Sequence, residues 1–181
     1  MRRVLAWVLG IALMAVAGVV GAVSLDDTQT QAPFAVEATI GERAAGRDIA
    51  VTVTDVRVAD EVVDDRGWRA SGTWLVVDLE AEAVRSERAS LLSLAELDLG
   101  DRRISASERP ESLLDVGLAV GVPQRGALAF ELPEGALAGP ATLRLGRSSD
   151  PRVDSLVELR IDLTSLEHVD ELELQESGWV G

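Results

Sequence analysis

Lysine, cysteine and tyrosine are absent from this chain of 181 residues, and histidine occurs once, as His168. Without lysine there is no Schiff-base or pyridoxal attachment point and no phosphate-loop lysine. Without cysteine there is no thiol nucleophile, no thiolate metal site and no disulfide. An exported domain of this composition is held by its core alone. A lone histidine cannot build a multi-histidine zinc centre, and His168 lies in an acidic C-terminal stretch, where it reads as a surface residue. No cofactor is expected. Positive charge is also scarce: 17 basic residues, all arginine, face 31 acids, for a formal net charge of −14. Phosphate binding needs a basic footprint, so no nucleic-acid partner is expected. Anionic headgroups and wall polymers would repel such a chain unless a cation bridged them. Arginine without lysine, together with abundant alanine, valine and glycine, matches a GC-rich bacterial genome.

What the chain does have is an opening apolar run. "VLAWVLGIALMAVAGVVGAVSL", Val4 to Leu25, carries no charge and as a helix would span roughly 33 Å, against about 30 Å for a bilayer's hydrocarbon core. Arg2 and Arg3 precede it; Asp26 and Asp27 follow. The positive flank stays in the cytoplasm, so the remainder is expected outside the cytoplasm of a single-pass cell-membrane protein. A cleaved secretory signal is the competing reading, with tolerable cleavage sites at Val20-Gly21-Ala22 and Ala22-Val23-Ser24, but its apolar core would be unusually long. Residues 1–25 are thus read as a transmembrane signal-anchor and 26–40 as a linker with a possible first strand. Residues 41–163 are read as the folded domain and 164–181 as an acidic tail.

Beyond the linker the apolar period is two. "DIAVTVTDVRVAD" places Ile49, Val51 and Val53 on one face, then shifts parity to Val56 and Val58, which predicts a bulge near Asp55. "DEVVDDRG" reads as an acidic turn or long hairpin. In "GTWLVVDLEAEAV" Leu75, Val77, Leu79 and Ala81 oppose Asp78, Glu80 and Glu82, a half-buried strand. Leu97, Leu99 and Ile104 flank a hairpin turn at Gly100-Asp101. Leu114, Val116, Leu118 and Val120 predict a strand stopped by Pro123. Leu128, Phe130 and Leu132 predict another, closed by Pro133-Glu134-Gly135. Further strands follow at Ala141 to Leu145 and Val157 to Leu163. A brief helix is expected around Ser90 to Ala95 or in the tail. About seven to nine short strands, with every proline outside a strand interior, indicate an all-β antiparallel sandwich behind one N-terminal transmembrane helix.

The motif order resembles the DUF4352-type, telokin-like immunoglobulin-like domains of bacterial exported, membrane-anchored proteins. The matching stretches are "VTVTDV" (Val51 to Val56), "GTWLVVDL" (Gly72 to Leu79), "LDLGDRRI" (Leu97 to Ile104) and "GVPQRGALAFELP" (Gly121 to Pro133). They cover roughly Gly41 to Leu163. The resemblance implies an immunoglobulin-like sandwich and an envelope location, and no particular activity. The insert at Asp60 to Arg66 and the tail after Thr164 depart from the pattern.

Candidate site residues are few. Asp60, Glu61, Asp64 and Asp65 form a weak calcium candidate, since calcium takes six to eight oxygens, but their spacing fits no EF-hand and a solvated hairpin tip accounts for them. Nothing marks out a carboxylate pair for hydrolysis, and no enzyme is expected. Trp68 and Trp74 flank the start of the best strand. Trp74 shares a face with Asp78 and Glu80, so it is either an exposed interface anchor or a cover for the end of the sandwich. The tail keeps Leu166, Val169, Leu172, Leu174 and Trp179, which a merely solubilising tail would not need; it is expected to pack on the domain or to dock on a partner by helix or strand addition. Two functions follow as expectations. One is a non-catalytic, membrane-tethered extracytoplasmic module that binds another envelope protein. The other is a secreted binding protein, released by signal cleavage, for a cation or small ligand.

Overall fold

Leu75, Val77 and Leu79 lie on one face of a long strand and are fully buried, as their period of two dictates. That strand belongs to one of two sheets in the computed structural model, which describes residues 34–85, 90–147 and 155–180. Among them are eleven strands: β1 (Phe34–Glu37), β2 (Arg43–Ala45), β3 (Ile49–Val63), β4 (Arg69–Ala83), β5 (Leu94–Asp98), β6 (Arg103–Ser105), β7 (Gln124–Glu131), β8 (Pro140–Gly146), β9 (Ser155–Asp162), β10 (Glu167–Glu173) and β11 (Gly178–Trp179). The expected anchor, Val4 to Leu25, lies outside the described residues. Among those described, no helix is long and apolar enough to cross a membrane.

The first sheet has the order β1-β9-β8-β5-β6; the second has β10-β3-β4-β7-β11, with β2 paired to β3. Side chains from the facing surfaces interdigitate into one core: Ile49, Val51, Val53, Val56 and Val58 from β3, Leu128 and Phe130 from β7, Leu143 and Leu145 from β8, and Val157, Leu159 and Ile161 from β9. Each such side chain contributes about 1.5–3 kcal/mol on burial. The register slips between Val53 and Asp55, where the parity switch lies. A second slip, between Ala59 and Glu61, re-aims the distal part of the β3–β4 hairpin.

Several sequence expectations are corrected. The acidic insert is not all turn: β3 runs on through Asp60–Val63, and only residues 64–67 turn. Asp64 closes that turn, its Oδ1 accepting from the amides of Trp68 at 2.7 Å and Arg66 at 3.0 Å. Residues 114–120 form no strand. Asp115 sits at φ 59°, a left-handed conformation that no pleat continues through. The segment's amides instead reach separate carbonyls, Leu113 N to Ala127 O, Asp115 N to Leu92 O and Leu118 N to Ser90 O. Residues 90–95 form no helix, because Leu94 and Ala95 are taken into β5 and pair with Gly146 and Leu145 of β8. Residues 164–181, by contrast, pack on the domain as one of the expected alternatives had it, supplying two strands to the second sheet: β10 pairs in parallel with β3, and β11 pairs antiparallel with β7.

Candidate functional site

The three tryptophans and four acids singled out in the sequence fall in three places. The first is the outer face of the second sheet. Trp74, Val76, Ala127 and Ala129 point away from the sandwich core, yet they are buried in a second cluster with Ala59, Val62, Leu172 and Leu174. The cover comes from the C-terminal strand. β10 and β11 occupy opposite edges of one sheet, so residues 174–177 carry the chain from one edge to the other. Trp68 meets Trp74 edge to face, with ring centroids 5.9 Å apart. The Arg109 guanidinium sits 5.3 Å from the Trp74 centroid and 5.8 Å from that of Trp68, and it pairs with the Glu131 carboxylate. Trp74 is therefore neither an exposed anchor nor an end cover. It is the closed centre of an outer cluster, and Trp68 is its half-buried rim.

Beside that cluster Asp78 is buried and bonded to Arg57, whose Nε lies 2.9 Å from Asp55. Burial pushes the Asp78 carboxyl above its ordinary range, and the Arg57 hydrogen bond and charge offset part of the rise. This triad is solvated on the Asp55 side and has the character of a paired structural charge. Neither it nor the Arg109–Glu131 pair was legible in sequence, because each joins residues whose contact depends on the sheet register.

The second place is the distal hairpin. Asp60 lies 2.9 Å from Nε2 of His168, and Glu61 lies 2.6 Å from Nη1 of Arg69. Asp64 is engaged with backbone amides, and Asp65 is exposed. Asp60, Glu61 and Asp64 thus have separate partners. Among the described residues no group of three or more metal-ligating side chains converges.

The third place is the edge made by β11. Trp179 is 56% exposed, next to Val120 and Val122 at 42% and 43%. Backbone bonds hold these segments together: Trp179 pairs with Gln124, and Val180 N donates to Pro123 O at 3.0 Å.

At the opposite end of the sandwich from Phe34, the β5–β6 turn and the β7–β8 connection enclose an open groove of about 530 Å³. Gly135, Ala136, Ala138 and Gly139 wall one side, and Asp101, Arg102 and Glu134 bring charge to it. Short side chains leave backbone groups accessible there, which suits a polypeptide more than a compact apolar ligand.

The architecture defines a two-sheet, all-β sandwich. A solved structure is similar to it: an uncharacterized β-sandwich protein from Clostridium difficile 630, at 10% identity and a TM-score of 0.50, covering 71% of this chain and 95% of that one. No family model matches the chain, and no curated protein matches it in sequence.

Proposed function

We propose that the protein is a non-catalytic, membrane-tethered module whose extracytoplasmic domain, an immunoglobulin-like sandwich of the DUF4352 type, binds another protein of the bacterial envelope. The order β3-β4-β7 facing β9-β8-β5-β6 supports the immunoglobulin-like reading, since successive strands change sheets at β4–β5, β6–β7 and β7–β8 as in that fold. The uncharged run from Val4 to Leu25, flanked by Arg2-Arg3 and Asp26-Asp27, supports the tether and its orientation.

The observation that carries the binding role is the groove at the far end, remote from the point where the chain enters at Phe34. Loops at the free end of a rigid sandwich are where such folds place recognition. A photo-reactive phenylalanine at Glu134, on that groove, should form a discrete adduct with one envelope protein in living cells. The same probe at Asp170, exposed on β10, should form none. Equal capture from both positions, or none from Glu134, contradicts the assignment.

A further inference from the structure

The Phe34 end of the sandwich differs in chemistry from the rest of the domain. Phe34 pairs with Ser155, whose Oγ accepts from the Arg47 amide at 2.6 Å. Val84 N donates to Asp48 O at 2.9 Å, Ala83 N to Ala119 O at 3.0 Å, and Gly121 N to Ala83 O at 3.3 Å. These bonds gather the 46–48 turn, the end of β4 and the 119–122 turn at one end of the domain, with β11 beside them. The exposed apolar side chains Val120, Val122 and Trp179 stand there. So do Arg47, Arg85 and Arg125, each exposed and without a carboxylate partner among the described residues. Acids stand at this end too, with Asp48 in the 46–48 turn paired to Arg147, Glu80 half-buried opposite Arg125 and Glu176 exposed before β11; other exposed acids lie elsewhere, Asp101, Glu134 and Asp162 at the far end and Glu167, Asp170, Glu171 and Glu173 on β10. The domain is acidic as a whole, yet the described arginines that lack a carboxylate partner among the described residues gather at this end.

We propose that this end rests on the bilayer, with Trp179, Val120 and Val122 seated at the headgroup–acyl boundary and Arg47, Arg85 and Arg125 facing anionic headgroups. Tryptophan favours that boundary because its ring is apolar and its N–H is wet. Arginines near an anionic surface are attracted within a Debye length, and the acidic far end is repelled, so the two effects orient the domain in the same sense. The inference rests on the tether proposed above. Residues 26–33, the stretch between the apolar run and Phe34, span about 30 Å at most, which keeps this end near the membrane. The docked pose turns the groove at the far end outward.

The test uses the full chain with Trp7 replaced by phenylalanine, reconstituted in vesicles of equal parts phosphatidylcholine and phosphatidylglycerol carrying dibrominated acyl chains. The vesicles should float with the protein and quench part of its tryptophan emission. Adding Trp179→Phe should return quenching to the level of unbrominated vesicles, and the triple change Arg47→Glu, Arg85→Glu, Arg125→Glu should reduce it. A chain that floats while its Trp179 emission is unquenched overturns the docking and leaves the tether standing, even if that emission is blue-shifted by a protein neighbour. A chain that does not float overturns both.

Discussion

Arg109 and Trp74 are separated by 35 residues in sequence, yet the guanidinium lies 5.3 Å from the indole centroid, reaching the outer cluster from a segment that bonds to β7 through Ser107 N to Ala129 O and Leu113 N to Ala127 O. Trp74 is fully buried beneath it. Trp74→Ala should therefore cost about 3–5 kcal/mol, as for a large core side chain. Arg109 is half exposed and its ion pair is screened, so Arg109→Ala should cost about 1 kcal/mol and red-shift the emission of Trp68. Equal losses of melting temperature for the two variants would show that Trp74 is not the centre of the cluster.

Leu79 and Phe130 are fully buried in the main core. Leu79→Ala and Phe130→Ala should each lower stability by about 2–5 kcal/mol in denaturant melts. Unchanged midpoints would contradict the inward face assigned to β4 and β7.

Removal of residues 165–181 should strip Leu172 and Leu174 from the outer cluster and expose Ala59, Val62 and Trp74. The truncated chain should melt well below the parent, and the Trp74 emission should shift to the red. Leu172→Ala or Leu174→Ala alone should cost about 2–3 kcal/mol. A truncation with full stability would make the tail a solvated end.

Two aspartates should tune stability with opposite sign. Burial raises the Asp78 pKa above 3.8, so the folded state holds that proton more tightly than the unfolded chain. Its contribution is full below about pH 3.8 and is lost as pH rises through the folded pKa. Side-chain and backbone hydrogen bonds from Thr164 lower the Asp162 pKa below 3.8; its contribution is present above that value and is lost as pH falls through the folded pKa. Thermal melts across about pH 2 to 7 should show the parent losing ground to Asp78→Asn as pH rises. Over the same range it should gain on Asp162→Asn. Slopes of the same sign would refute the assignment.

The sandwich core was legible because β-branched and leucine residues alternate cleanly in β3, β4, β7 and β9. The bulge at Asp55 was legible for the same reason: Val53 and Val56 cannot share a face without one. The slip at Ala59 was not, because alanine fits either face and the acids after it read as turn. Trp74 was misplaced because its companions at two-residue spacing, Asp78 and Glu80, marked the face as wet. The cover that dries it arrives nearly a hundred residues later, with Leu172 and Leu174. Residues 114–120 imitate a strand in apolar spacing, and only the left-handed Asp115 breaks the pleat. The edge patch was half legible: Trp179 was singled out, but its proximity to Val120 and Val122 depends on β11 pairing with β7.

The most direct test of a tethered extracytoplasmic module is the intact mass of the protein recovered from the membrane fraction of protease-shaved cells and of untreated ones. The untreated protein should retain the apolar run from Val4 to Leu25 and stay with the membranes, and shaving should remove the mass C-terminal to it. A protein that begins at Val23 or Ser24 and is released into the medium, or one whose domain is shielded from protease in intact cells, would contradict this reading.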